Sequence, residues 1–136
     1  MNQKSNTPKL LACLALALPL FAAAAANPIQ ESYRAAAKQE NPVFKDFSVA
    51  AGQKLYATKG AEFSCSSCHT DSPMNAGKHA KTNKDILALA PAANPKRFTD
   101  AANVEKWFKR NCNDVLARAC TAQEKGDFMA YVLSVK

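Results

Sequence analysis

The sequence predicts an all-α fold. Alanine-rich and amphipathic segments alternate with polar connectors that carry capping residues. Thr121-Ala122-Gln123-Glu124 has the spacing of a capping box just before an apolar helical face. Nowhere does an alternating apolar–polar run mark a half-buried strand, and no internal repeat appears.

The chain opens on an expected export signal. Lys4 and Lys9 form a basic start, residues 10–26 are apolar, and Ala24-Ala25-Ala26 is the small-residue pattern that a signal peptidase reads. Cleavage after Ala26 leaves residues 27–136 as one domain and removes Cys13. The apolar run is short for a membrane span and no basic stop-transfer cluster follows it. Periplasmic localisation is the expectation.

Within the domain, a first helix is expected over residues 29–39, ended before Asn41-Pro42. A second runs over 48–57, capped by Ser48 and stopped near Gly60. Residues 70–83 read as polar loop, and a short helix is expected over 84–89, ended by Pro91. A longer helix spans Asp100 to about Arg110. The last opens at the capping box and carries Phe128, Met129, Val132 and Leu133 on its apolar side.

The chemistry sits in the cysteines. Cys65-Ser66-Ser67-Cys68-His69 is C-x-x-C-H, the attachment motif of c-type haem. Two intervening residues hold the thiols at the separation of the porphyrin vinyl groups, and the adjacent histidine falls under the iron as proximal ligand. A zinc knuckle would need a second ligand pair at similar spacing, and a thioredoxin-like pair would need a βαβ context. The sequence offers neither. Cys112 and Cys120 enclose a short segment, and in an oxidising compartment a disulfide is their default state.

The charge excludes one class of partner. Once Lys4 and Lys9 are lost, 16 basic residues face 11 acidic ones, a net of +5. Two haem propionates lower that to about +3. This dispersed charge contains no basic run and argues against nucleic acid. It fits docking to an acidic patch on a redox partner, with Lys78, Lys81 and Lys84 as one candidate face.

Function turns on the residue opposite His69. A strong sixth ligand makes an electron carrier; a weak one lets small molecules reach the iron. Met74 follows His69 by five residues, about 17 Å of fully extended chain, which is taut for rounding a porphyrin. Met129 reads as core packing. His79, in a lysine-rich loop, reads as a solvated histidine but competes as a ligand. Asn111 shares one helical face with Val104, Trp107 or Phe108, and Val115. Either the helix ends there and Asn111 caps it, or its amide oxygen meets the iron.

The helix before C-x-x-C-H, Gly52 as a close-crossing point and an aromatic C-terminal helix resemble class I cytochrome c with one haem. In that fold the first and last helices cross at a haem edge. The stretches Leu89-Ala90-Pro91, Pro95-Lys96-Arg97-Phe98-Thr99-Asp100, Val104-Glu105-Lys106-Trp107, Arg110-Asn111-Cys112-Asn113 and Cys120-Thr121 resemble the sphaeroides haem protein (SHP) family. That resemblance implies that Asn111 is the axial ligand of the oxidised haem and that Cys112 and Cys120 form a disulfide. It also implies binding of dioxygen or nitric oxide, with a dihaem cytochrome c and a membrane cytochrome b as electron donors. The loop over residues 71–81 departs from the family pattern by adding His79 and Met74 as potential ligands.

An amide oxygen is a hard, neutral, weak donor, better suited to ferric than to ferrous iron. Asn111 is therefore expected to leave on reduction. The leading expectation is a gas-binding haem c protein. An electron carrier with a Met or His sixth ligand is the second reading. An enzyme converting oxygen and nitric oxide, with nitric oxide dioxygenase-like turnover, is the third.

Overall fold

The computed structural model describes Met1 and residues 26–136. The apolar run of the expected export signal and Cys13 lie outside the described residues. Among those described, no helix is long and apolar enough to cross a membrane.

Helix α1 (Pro28–Glu40) starts at Asn27, whose side chain accepts from the N–H groups of Ile29 and Gln30. Pro28 sits in its first turn, where a missing N–H costs nothing. Helix α2 (Val49–Ala57) is capped by Ser48, as expected, and closes at Thr58, two residues before Gly60. One turn of helix, α3 (Ser66–His69), carries the cysteine motif. Helices α4 (Ala101–Leu116) and α5 (Ala122–Ser134) complete the fold. Both halves of the Thr121–Glu124 capping box are formed.

The C-terminal helix is the hub. Helix α2 crosses it at Gly52, where a Cβ would lie 1.9 Å from the Asp127 carbonyl oxygen. Only glycine allows that approach. The carboxylate of Asp127 also accepts the Ser48 N–H at 2.7 Å, so the crossing is fixed by packing and by a hydrogen bond. Helix α1 packs on another side of α5, and the Phe108 ring brings in α4. It meets Tyr33 of α1 at 5.8 Å and Phe128 of α5 at 5.5 Å, both edge-on. Glu105 of α4 accepts from Tyr33 Oη at 2.8 Å and from Lys125 Nζ at 2.6 Å, which ties the same three helices at their rim. Met129 and Val132 are fully buried at the centre, so Met129 is core, as its spacing suggested.

Two expectations about the backbone are corrected. Residues 84–89 are not helical. Strand β1 (Gly77–Lys78) pairs antiparallel with β2 (Asp85–Ile86) in a short hairpin. The backbone groups that follow are held by distant partners. Leu87 and Ala88 carbonyls accept from the Arg97 guanidinium, and the Leu89 and Ala90 N–H groups both donate to the Pro73 carbonyl. Nothing remains to close an i→i+4 ladder.

Helix α4, for its part, does not stop near Arg110. It runs to Leu116 and ends on Ala117 in the left-handed region (φ 55°), whose N–H returns to the Asn113 carbonyl. Asn111 is therefore interior to the helix, and the capping alternative for it falls.

Candidate haem site

The cysteine motif is held from three directions. Upstream, the Ser64 hydroxyl lies 2.8 Å from Ser66 Oγ and 2.9 Å from Ser67 Oγ, and the Ser67 hydroxyl accepts the Ser64 N–H. This network fixes the entry to α3. Cys65 and Cys68 stand three residues apart across that single turn, on one side of it. Downstream, Tyr56 of α2 donates to the carbonyls of His69 (3.1 Å) and Thr70 (2.6 Å). Burial raises the Tyr56 hydroxyl's pKa, so it remains a donor. Thr70 has φ 63°, which turns the chain sharply away after His69. Behind the motif, the hairpin approaches so closely that a Cβ on Gly77 would lie 1.9 Å from the Cys68 carbonyl oxygen. The Ala80 N–H points at Cys68 Sγ from 3.3 Å.

The donor chemistry suits haem c. Cys65 and Cys68 enter no disulfide, so both sulfurs are available for thioether attachment. Burial pushes the Cys65 thiol up to about 11, so it is no thiolate nucleophile at neutral pH. Burial, with the nearby Arg97 charge, lowers His69 to about 4. Its imidazole is thus neutral, with a lone pair free for a metal. Two partly buried thiols and a neutral imidazole on one rigid turn are what thioether attachment and proximal ligation require.

The residues considered for the opposite face are dispersed. Met74 packs against the apolar core. His79 is not simply solvated: its Nδ1 accepts from the N–H groups of Lys81 and Thr82, both at 3.3 Å, and so caps its own turn. On α4 the buried positions are Val104, Phe108, Cys112 and Val115, whereas Asn111 is exposed and Trp107 is 42% exposed. Of the expected face, Val104, Val115 and, of the two aromatic alternatives, Phe108 are buried; the correction is that Cys112 and not Asn111 completes it. At about 100° per residue, Asn111 nevertheless projects only roughly 20° from Val104 and 40° from Trp107. Asn111 borders the apolar stripe without being covered by it. The disulfide joins Cys112, the residue after Asn111, to Cys120 just ahead of α5.

Three contributors to the site were not singled out from the sequence. Tyr56 lies on the buried side of α2 and could have been flagged as an aromatic whose hydroxyl needs a partner. Arg97 stood in a quoted motif without a role. The Pro73 carbonyl had no signal, because a backbone acceptor leaves none.

This fold and this site define a small all-α cytochrome c. Residues 42–132 match the family described as Domain of unknown function (DUF1924). Cytochrome c'' of Methylophilus methylotrophus is 40% identical over 114 residues, covering 80% of this chain and 79% of that protein. Its oxidised crystal structure superposes with a TM-score of 0.72 at 39% identity, over 79% of this chain and 92% of that one. Cytochrome c-type protein SHP of Cereibacter sphaeroides is 51% identical over 69 residues, 51% of this chain and 53% of that protein. The structure of oxidised SHP, an oxygen binding cytochrome c, gives a TM-score of 0.68 at 38% identity, over 76% and 91% of the two chains. A solution structure of cytochrome c'', concerned with haem-ligand detachment, gives 0.69 at 39% identity, over 78% and 90%. The chain belongs to the DUF1924 family and, with these relatives, to the SHP family of monohaem c-type cytochromes. It carries covalently bound haem c with its iron.

Proposed function

We propose that this chain is a periplasmic cytochrome whose mature domain spans residues 27–136 and which binds a small gas, dioxygen or nitric oxide, at reduced haem. Cys65 and Cys68 would carry the thioether links, and His69 and Asn111 would hold the iron, Asn111 in the oxidised state alone. Haem c supplies one-electron redox chemistry and, where its sixth position is free, a binding place for a diatomic gas.

One observation carries the assignment of Asn111. It is an amide in the interior of α4 that the helix itself does not need. Ala117 closes the helix, and Asn111 stands at the edge of the apolar stripe with its side chain exposed. His79 is a poorer candidate because its Nδ1 and backbone are engaged in the hairpin turn. Met74 is packed into the core edge. Oxygen binding by SHP and the detachment of a haem ligand addressed in cytochrome c'' support the same reading.

The roles of the chain's own groups follow. Ser64, Ser67 and Tyr56 hold α3 so that His69 keeps one orientation. Asn111 would offer the iron a neutral amide oxygen, a donor better suited to ferric than to ferrous iron, and its N–H₂ would be available to donate to a gas held there. The disulfide fixes the helix segment that aims it. Electrons come from cytochrome donors, a dihaem cytochrome c and a membrane cytochrome b in the resemblance from which the reading began.

The test is substitution of each candidate in the haem-loaded protein. Asn111→Ala should change the ferric spectrum, while His79→Ala and Met74→Leu leave it alone. An unchanged Asn111→Ala spectrum in both oxidation states refutes the assignment and favours an electron carrier.

A further inference from the structure

We infer that the face of α4 around Trp107 is a docking surface for an acidic one-electron donor protein. The inference rests on the redox reading of the haem and on the proposed place of Asn111, which sets α4 beside it.

Trp107 is 42% exposed, a large aromatic area for a surface position. Two cations crowd its ring: Arg110 Cζ lies 5.2 Å and Lys106 Nζ 5.9 Å from the centroid. Lys109 is exposed beside them. Among the described residues Lys106, Lys109 and Arg110 enter no ion pair, although Lys78, Lys81, Arg118 and Lys125 all do. The face therefore presents uncompensated positive charge around one rigid aromatic anchor. Arg and Trp are the side chains enriched where protein interfaces concentrate their binding energy. A shallow groove lined by Lys109, Arg110, Asn113 and Asp114 continues the surface toward the disulfide loop.

Charge decides the occupant. A second copy of this chain docked two-fold on the same face would set these cations against their own duplicates, a repulsive arrangement. A partner with carboxylates around its redox centre meets the patch with complementary sign. Position gives the reason for docking there. Trp107 precedes Asn111 by four residues, about 6 Å along the helix axis. A donor seated on Trp107 is thus beside the helix turn that the site reading sets over the haem. In the transfer, the donor's cofactor loses one electron and the haem iron passes from ferric to ferrous. No bond forms between the proteins.

The lysines of the hairpin, the alternative face expected from the sequence, are less suited. Lys78 pairs with Asp85 at 2.6 Å and Lys81 with Glu62 at 3.2 Å, so the charge of two of the three lysines is partly spent, and Lys84 alone of them enters no ion pair among the described residues.

The experiment is stopped-flow reduction of the oxidised haem-loaded protein by fully reduced flavodoxin, an acidic donor, across a range of ionic strength. Lys106→Glu/Arg110→Glu is compared with Lys45→Glu/Lys54→Glu, exposed positions outside both candidate faces that change net charge equally. The α4 pair should slow the second-order rate about tenfold at low salt and flatten its salt dependence, and the control pair should slow it severalfold less. Trp107→Ala should slow reduction by flavodoxin at high salt as well, with reduction by dithionite unchanged. Equal slowing by the two charge-swapped pairs would mean that only net charge matters and would overturn the inference. So would a Trp107→Ala effect of equal size with dithionite, which would place the residue's role at the haem instead. Loss of carbon monoxide binding, measured separately, bears on the gas-binding reading and leaves this one standing.

Discussion

Tyr56→Phe removes one oxygen and keeps the ring, and its effect can be worked from the structure. The ring is 2% exposed and stacks near Phe128 and Tyr131, at centroid distances of 6.2 and 5.4 Å. That packing survives the substitution. What is lost is a donor to two carbonyls, His69 O at 3.1 Å and Thr70 O at 2.6 Å. Each hydrogen bond contributes about 1 kcal/mol net, and a carbonyl left unpaired in a part-buried site costs about 1–3 kcal/mol. The expected destabilisation is therefore about 1–3 kcal/mol, with a fall in Tm of about 4–8 °C for each kcal/mol. Urea unfolding of the haem-loaded protein, followed by the haem band and by far-UV circular dichroism, measures it. Tyr131→Phe is the control, since it retains both tethers and should change stability by less than about 0.5 kcal/mol. If Tyr56→Phe falls within the control's range, the tether does not hold the end of α3 and the account of how His69 is oriented is wrong.

Replacing both Cys112 and Cys120 by Ser opens a loop between residues eight apart and should cost about 2.5 kcal/mol on the chain-entropy model. It should also loosen the sixth ligand, read as a changed ferric spectrum; an unchanged spectrum would make the bridge a staple only. Burial tends to raise the Glu105 pKa, but hydrogen bonds from Lys125 and Tyr33 outweigh it and hold the carboxyl below its usual range. Its contribution to stability is therefore present above the unfolded-state value near pH 4.3 and lost as pH falls through the lower folded value. Tm measured between pH 3 and 7 should fall less steeply with acid in Glu105→Gln than in the parent; identical slopes would contradict the coupling. Gly52→Ala would drive a Cβ to 1.9 Å from the Asp127 carbonyl oxygen and should separate α2 from α5. A parent-like denaturation midpoint would mean the crossing is not close.

The parts of this molecule that were legible in the sequence are those written in local chemistry. Asn41-Pro42 marked the end of α1, Ser48 the start of α2, and Thr121 with Glu124 the start of α5; all three stand as expected. The C-x-x-C-H motif needed only its own spacing, and Cys112 and Cys120, a close pair eight residues apart, are bonded to each other as expected. What could not be read depended on partners distant in sequence. Residues 84–89 have a plausible helical composition, but Arg97 and Pro73 take their backbone groups. Asn111-Cys112-Asn113 looks like a helix end because asparagine favours caps, yet Cys112 is buried and bridged within the helix, which continues to Leu116. The tether from Tyr56 to His69 spans 13 residues, beyond any periodicity argument.

The central claim is that the sixth position opens on reduction. The direct measurement is the visible spectrum of the anaerobically reduced, haem-loaded protein before and after adding carbon monoxide. A high-spin ferrous spectrum that shifts on mixing is the result predicted for a weak asparagine ligand that leaves. A sharp low-spin ferrous spectrum indifferent to the gas would contradict it, and would mean that a stronger ligand holds the iron and the protein is an electron carrier.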